Sequence, residues 1–178
     1  MKKLKNEELD RLTVEGYKHA NKLPVAVVLD NVRSLNNVGS VFRTSDAFRV
    51  TEILLCGITG TPPHREIQKT ALGATESVDW KHFDSVSDAV NYLKDNRYRA
   101  VAIEQVTTSI SLEDFRPGPD EKYAFIFGNE IKGVSSEILT AMDLCIEIPQ
   151  FGTKHSFNVS VSAGIVLWHY HYKLRAEK

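Results

Sequence analysis

A doubly wound α/β sheet of about six mainly parallel strands is the fold this chain predicts, and two observations predict it. Five segments, PVAVVLD, EILLCGI, YRAVAIEQV, YAFIFGNE and LCIEIP, carry apolar runs of the kind found in strands covered on both faces. Between them lie segments with helical period or helix caps, and strands alternating with helices specify a parallel sheet. No internal repeat or linker interrupts the alternation. A chain of 178 residues is most simply one domain, long enough to bury roughly 70% of its unfolded surface without disulfides or metal.

Residues 6 to 20 read as a short helix, with Asn6 as its cap, Glu7 and Glu8 at its N-terminus, Leu9 and Leu12 on one face, and Gly16 weakening its continuation. Pro24 opens the first strand, which ends at Asp30. A polar loop to about Asn36 leads into a helix whose inner face uses Val38, Val41, Phe42 and Phe48, with Asn37 in its first turn and Arg43 six positions later. Asn37 reads as a cap or as a ligand contact, Arg43 as a surface ion pair or an anion contact. EILLCGI is the second strand, and TGTPPHRE breaks the pattern with Gly60, Pro62 and Pro63. The helix that follows stops near Gly73, and SVDWKHF is a weak strand.

DSVSDAVNYLKDN reads as a helix capped by Ser85 or Ser87, with Val86, Ala89, Val90 and Leu93 as its apolar stripe. After YRAVAIEQV, a polar loop from Thr107 to Asp120 with a turn at SLEDF leads to YAFIFGNE. That strand ends in GNEIKGVSSEIL, where Gly128 and Gly133 flank Glu130 and Ser135 or Ser136 starts a short helix. LCIEIP is the last strand. From Ile148 the stretch IPQFGTKHSFNVSVSAGIVLWHYHYKL passes through a polar turn holding Ser156 and Asn158 and becomes a helix near Ser160. Asn158 or Ser160 caps it, and Val161, Ile165, Val166, Trp168 and Tyr172 recur at the spacing of one buried face.

A formal net charge of −1 argues against coating nucleic acid by bulk electrostatics, and leaves room for a local basic patch. Its candidates are Lys18 with Lys22, Arg43 with Arg49, His64 with Arg65 and Lys69, and Lys154 with His155. The two cysteines, Cys56 and Cys145, lie inside apolar runs without metal-ligand spacing, so they read as buried thiols of a reducing compartment, and no metal site is expected. The charged start MKKLKNEELDRL reads as helical rather than as a signal sequence, and no apolar run approaches the length of about 20 needed to cross a bilayer. A cytoplasmic protein is expected.

Sheets of this kind bind ligands beyond the carboxyl ends of their strands. The loops after VVLD, AIE, FIFG and IEIP are therefore expected to converge on one crevice gathering Asn37, Arg43, Glu104, Glu130, Ser156 and Asn158. Neither GxGxxG nor GxxxxGK[ST] follows any strand, so a standard dinucleotide or triphosphate cradle is not supported.

Three segments carry a resemblance. NNVGSVFRT resembles the NxGxxxR first motif of the SpoU (TrmH-like) branch of the SPOUT RNA methyltransferases, FGNEIKGVS their GxExxGLS second motif, and IPQFGTKHSFNVSVSAGI their IPMxGxxxSLNVSVAxAI third motif. Order and spacing agree, TALGATESVDW is similar to the connecting region, and the resemblance covers roughly residues 24 to 174. Phe157 and Val134 stand where the family has leucine, and Phe151 where it often has a small or aliphatic residue.

The resemblance implies a SPOUT-type α/β knot, with the C-terminal third threaded into a trefoil, an exception to the rule that chains avoid knots. It implies a single catalytic domain over 24–174 behind a short N-terminal extension, 1–23, without the separate RNA-binding extension of longer relatives. It further implies a homodimer with the site close to the subunit boundary, where Trp168, Tyr170 and Tyr172 either add interface area or cover the sheet. The implied reaction is methyl transfer from S-adenosylmethionine to a ribose 2'-hydroxyl of transfer or ribosomal RNA, in which Arg43 activates the hydroxyl beside an RNA phosphate. Asn37, Glu130, Ser156 and Asn158 position Arg43, the ribose or the phosphate. Gly128, Ile148 and Phe157 line the adenosyl pocket, and Glu104 contacts the cofactor ribose. Two other readings are a non-catalytic RNA-binding or assembly factor that keeps the fold, and an unrelated nucleotide-binding α/β enzyme.

Overall fold

The computed structural model describes residues 1–176. Strands β1 (Leu23–Asp30), β2 (Val50–Cys56), β3 (Asp79–Phe83), β4 (Tyr98–Ile103), β5 (Ile110–Ser111), β6 (Lys122–Phe127) and β7 (Leu144–Glu147) form one sheet. Their order is β3-β2-β1-β6-β4-β7-β5, and every pairing is parallel. The seventh strand, β5, is two residues long, too short to leave a pattern of its own within the polar loop.

Alternate residues of the central strands point to opposite faces, and each face is covered. Val25, Val27 and Leu29 of β1, with Tyr123, Phe125 and Phe127 of β6, pack against helices α1 (Val14–His19), α2 (Leu35–Ala47), α3 (Arg65–Ala71), α4 (Ala74–Ser77) and α7 (Val159–Ala176). Ala26, Val28, Ala124 and Ile126 face α5 (Val86–Asp95) and α6 (Ser136–Leu139). Side chains buried to this degree contribute about 1.5–3 kcal/mol each for the larger aliphatics.

Three expectations need correction. The N-terminal helix is a 3-10 turn at Asn6–Glu8 and a separate α1 capped by the Thr13 hydroxyl, because Asp10 adopts a left-handed φ of 49° that no helix passes through; Gly16 lies inside α1, and Leu12 is exposed. The Asn6 side chain, expected to cap, lies outside the described residues.

The buried face of α7 is the second correction. It consists of Val159, Ala163, Val166, Leu167 and Tyr170, and Val161, Trp168 and Tyr172 are exposed. The helix is apolar around most of its circumference, so its sequence carries two stripes of helical spacing, and only packing decides which one meets the sheet. The third is Lys22, which is no free member of a basic patch: its ammonium lies 3.2 Å from the Tyr17 ring centroid and donates to the Tyr17 carbonyl at 2.7 Å. Burial lowers its pKa.

Ser34 caps α2 by accepting from the Asn37 amide, and Ser85, of the two candidates, caps α5. Cys56 is buried and Cys145 half-buried; burial, with Asp30 and Asp88 nearby, pushes the Cys56 thiol up to about 12. Among the described residues no helix is long and apolar enough to cross a membrane.

Candidate functional site

Strand order reverses at β1, whose chain successor β2 lies on one side and whose other neighbour is β6. The connections leaving β1 and β6 therefore diverge and open a crevice beyond the strands' carboxyl ends. The loop after β6 is folded back on itself. Asn129 and Gly133 exchange backbone hydrogen bonds of 2.9 Å each way, and the Asn129 side chain closes the turn by accepting from the Ile131 amide at 2.9 Å and the Lys132 amide at 3.1 Å. Gly133 has a φ of 70°, in the region that favours glycine. At Gly128 a Cβ would overlap the backbone of Gly133 and Val134, so only hydrogen permits this close approach.

Acceptors at the strand ends anchor that loop to the sheet. Glu104, just past β4, accepts from the Val134 and Gln105 amides, each at 2.9 Å. Asp30, at the end of β1 and wholly buried, accepts from the Ser135 amide and the Asn31 side chain, each at 2.8 Å. The Asn129 amide group donates to the Asn31 carbonyl at 2.7 Å. Asp30, Asn31 and Asn129 were not singled out from the sequence. Asp30 had left one signal, a carboxylate closing a strand with no solvent-facing register.

Glu130 carries the contact between the second and first polar segments. Its carboxylate accepts from the Arg33 amide at 3.0 Å, the Ser34 amide at 3.1 Å and the Asn37 side chain at 3.2 Å. It thus sits at the N-terminus of α2, where the helix dipole favours negative charge. Partial burial opposes ionisation, but donation from the amides of Arg33, Glu130 itself and Ser34, and from the Asn37 side chain, outweighs it, and the carboxyl titrates below the usual range.

The third segment joins through Asn158, whose side-chain nitrogen donates to Asn37 Oδ1 at 3.1 Å. Asn158 Oδ1 also accepts from the Ser160 amide at 2.9 Å and the Ser160 hydroxyl at 2.7 Å, so this residue caps α7 while reaching across to α2. A continuous polar chain, Glu130 to Asn37 to Asn158, therefore ties all three segments together.

Beside it lies a cavity of about 490 Å³, within the range of roughly 300–1,000 Å³ for small-molecule sites. Glu104, Gly128, Glu130, Ile148, Ser156 and Phe157 all line it. Apolar walls from Ile103, Phe127, Val134, Leu139, Ile148 and Phe157 suit a flat ring, and the two glutamates suit a cationic centre. S-adenosylmethionine combines both in its adenine and its sulfonium, so the residues present fit that cofactor.

Arg43 does not join this cavity. Six residues along α2 from Asn37, it lies about 9 Å further along the axis and on another side of the helix. Its side chain is exposed and borders a second cavity, of about 470 Å³, with Arg11, Tyr17, Asp46, Arg49 and Ser77. The expectation that one crevice gathers all six polar residues is therefore corrected: Glu104, Glu130 and Ser156 line it, Asn37 and Asn158 join through the hydrogen bonds to Glu130 and to each other, and Arg43 borders the other cavity. Loop position alone does not report the azimuth of a side chain two turns into a helix.

Comparison with known proteins gives concordant matches. A family model described as the SpoU rRNA Methylase family matches residues 24–168. A tRNA (guanosine(18)-2'-O)-methyltransferase of Thermus thermophilus is 30% identical over 162 residues, covering 90% of this chain and 81% of that protein. An enzyme of the same name from Borreliella burgdorferi is 28% identical over 148 residues, covering 83% of this chain and 66% of that protein. The chain thus spans just under two thirds of the length of the Borreliella relative. Among solved structures, the A. aeolicus TrmH/SpoU tRNA modifying enzyme superposes with a TM-score of 0.79 at 25% identity, covering 92% of this chain and 81% of that one.

Proposed function

The chain belongs to the SpoU rRNA methylase family, and from that premise we propose that it is an S-adenosylmethionine-dependent methyltransferase acting on a ribose 2'-hydroxyl of structured RNA, transfer or ribosomal. The observation that carries this reading is the hydrogen-bonded chain from Glu130 through Asn37 to Asn158, which draws the three family motifs to the rim of one cofactor-sized cavity. In the reaction S-adenosylmethionine supplies a methyl group activated on a sulfonium.

Gly128, Ile148 and Phe157 border the space for the adenosyl group, the first through backbone and the others through apolar contact. Glu104 uses one lone pair of each oxygen on the Gln105 and Val134 amides, which leaves acceptor capacity for the ribose hydroxyls. A ribose hydroxyl is a weak nucleophile and has to lose its proton as the new bond forms. Arg43, permanently protonated, serves as the positive charge that stabilises the oxygen while the proton passes to an adjacent RNA phosphate. Ser156 and Asn158 position that phosphate, and Asn37, held by Glu130 and Asn158, orients the ribose.

This assignment requires a second copy. Arg43 lies outside its own chain's crevice, so in the reading Arg43 of one protomer serves the crevice of the other in a homodimer. Two observations support that arrangement. Val161, Trp168 and Tyr172 form an exposed apolar stripe on α7, and α7 packs beside α2, with the Trp168 ring 6.4 Å from that of Phe48. The stripe thus adjoins the helix that carries Arg43. A catalytic unit over 24–174 behind a short extension, a trefoil-knotted C-terminal third, a cytoplasmic setting and chemistry without metal complete the reading.

The test is transfer of labelled methyl from S-adenosylmethionine to unmodified total transfer RNA and ribosomal RNA, with wild type beside Arg43→Ala. Wild type is expected to label one pool, and Arg43→Ala to bind cofactor normally while transferring about 10²- to 10³-fold more slowly. Equal rates for the two proteins would remove Arg43 from its role.

A further inference from the structure

Around the crevice the chain exposes apolar side chains that the cofactor reading leaves unused. Phe151 is 96% exposed and Ile131 77% exposed. Each sits beside basic side chains: Phe151 precedes Lys154 and His155 in one loop, and Ile131 precedes Lys132 in the other, all three being exposed. Ile131, Lys132 and His155 line the crevice, as does Gln150, the residue before Phe151. A phenyl ring in full contact with water forgoes about 2 kcal/mol of burial, and its immediate neighbours are polar or glycine.

The geometry points to Phe151 as a stacking platform for an unpaired base of the substrate RNA, with Lys154 and Lys132 on the flanking phosphates. This rests on the RNA methyltransferase reading and deepens it: the substrate nucleotide lies in a single-stranded segment. Exposed aromatics interleaved with cations are the pattern by which proteins hold single strands, since every base has a stacking face and every nucleotide a phosphate. Contact with a second copy of this chain is the weaker alternative. One ring among Gln150, Gly152, Thr153, Lys154 and His155 falls far short of the roughly 800 Å² per partner of a stable interface, whereas the α7 stripe offers contiguous apolar surface.

The experiment measures binding of a fluorescent single-stranded 12-nucleotide RNA and of its blunt-ended duplex to the full-length chain by anisotropy, for wild type, Phe151→Trp, Phe151→Leu and Phe151→Ala. Cofactor affinity and sedimentation are measured on the same proteins. Phe151→Ala and Phe151→Leu are expected to bind the single strand about tenfold or more weakly, Phe151→Trp to bind it as wild type does, and duplex binding, cofactor affinity and sedimentation to stay unchanged. In methyl transfer the loss is expected in KM for RNA, with kcat little altered. Wild-type binding by Phe151→Leu overturns the stacking role. A changed sedimentation coefficient assigns the ring to a contact between copies, and weakened cofactor binding assigns it to the cofactor pocket; either result also overturns the proposal. Absence of methyl transfer by wild type overturns the function reading and leaves the binding comparison to decide the role of Phe151.

Discussion

Replacing Glu130 by Gln tests the contact that ties the first two motifs together. The carboxylate accepts three hydrogen bonds, from the Arg33 and Ser34 amides and the Asn37 side chain, at 3.0, 3.1 and 3.2 Å. A buried charged hydrogen bond is worth roughly 1.5–3 kcal/mol, but Glu130 is exposed and water competes for every partner, so about 0.5 kcal/mol each is the appropriate scale. Glutamine keeps one acceptor oxygen, turns an NH₂ toward a donor, and loses the favourable charge at the helix N-terminus. The expected loss is about 1–1.5 kcal/mol, or roughly 2–6 °C in Tm for a chain of this size.

The pH dependence has a definite sign. The folded carboxyl titrates below its usual range, so its stabilisation is present above the unfolded value of about 4.3 and is lost as pH falls through the lowered folded value. Urea unfolding of wild type and Glu130→Gln is expected to differ by a constant amount from pH 7 down to about 5 and to converge toward pH 3. A difference that persists undiminished at the acid end, or that is absent at pH 7, would refute the electrostatic account of this contact.

Other positions give further expectations. Gly128→Ala places a methyl group against the Gly133 and Val134 backbone; calorimetry should report a loss of about 1–3 kcal/mol, and equilibrium dialysis weaker cofactor binding. Trp168→Glu puts a charge in the exposed α7 stripe and should shift sedimentation toward monomer, whereas the same change at exposed Lys94 of α5 should not. Subunit mixing tests the division of the site: Arg43→Ala and Asn158→Ala are each expected to be inactive alone, and their mixture to regain up to about a quarter of wild-type activity by random pairing. No recovery on mixing would place Arg43 and Asn158 of the same chain in one site.

The architecture was legible in the sequence because buried parallel strands leave nearly continuous apolar runs, as VAVVL and AFIF do here. The meeting of Glu104, Glu130 and Ser156 at one crevice followed from their places in the loops beyond strand ends, whereas Gly128, Ile148 and Phe157, which line it too, were implied only by the family resemblance. Two features were not legible. The face that α7 buries depends on which of two apolar stripes fits the sheet, and a single helix of that composition does not encode the choice. The anchoring roles of Asp30 and Asn129 depend on pairings 105 and 98 residues distant in sequence, Asp30 with the Ser135 amide and Asn129 with the Asn31 carbonyl, and no local pattern reports them. Arg43 shows a third limit: motif spacing located it on α2, but its helical azimuth sends it to a different cavity.

Nucleoside mass spectrometry of RNA treated with wild-type protein and S-adenosylmethionine tests the central claim most directly. The expected product is a nucleoside carrying one added methyl group on the ribose 2'-oxygen, formed at one position in transfer or ribosomal RNA and formed at a rate lower by orders of magnitude when Arg43→Ala is used. A methyl group on a base, or unmodified RNA in both pools from a protein that binds the cofactor, would contradict it.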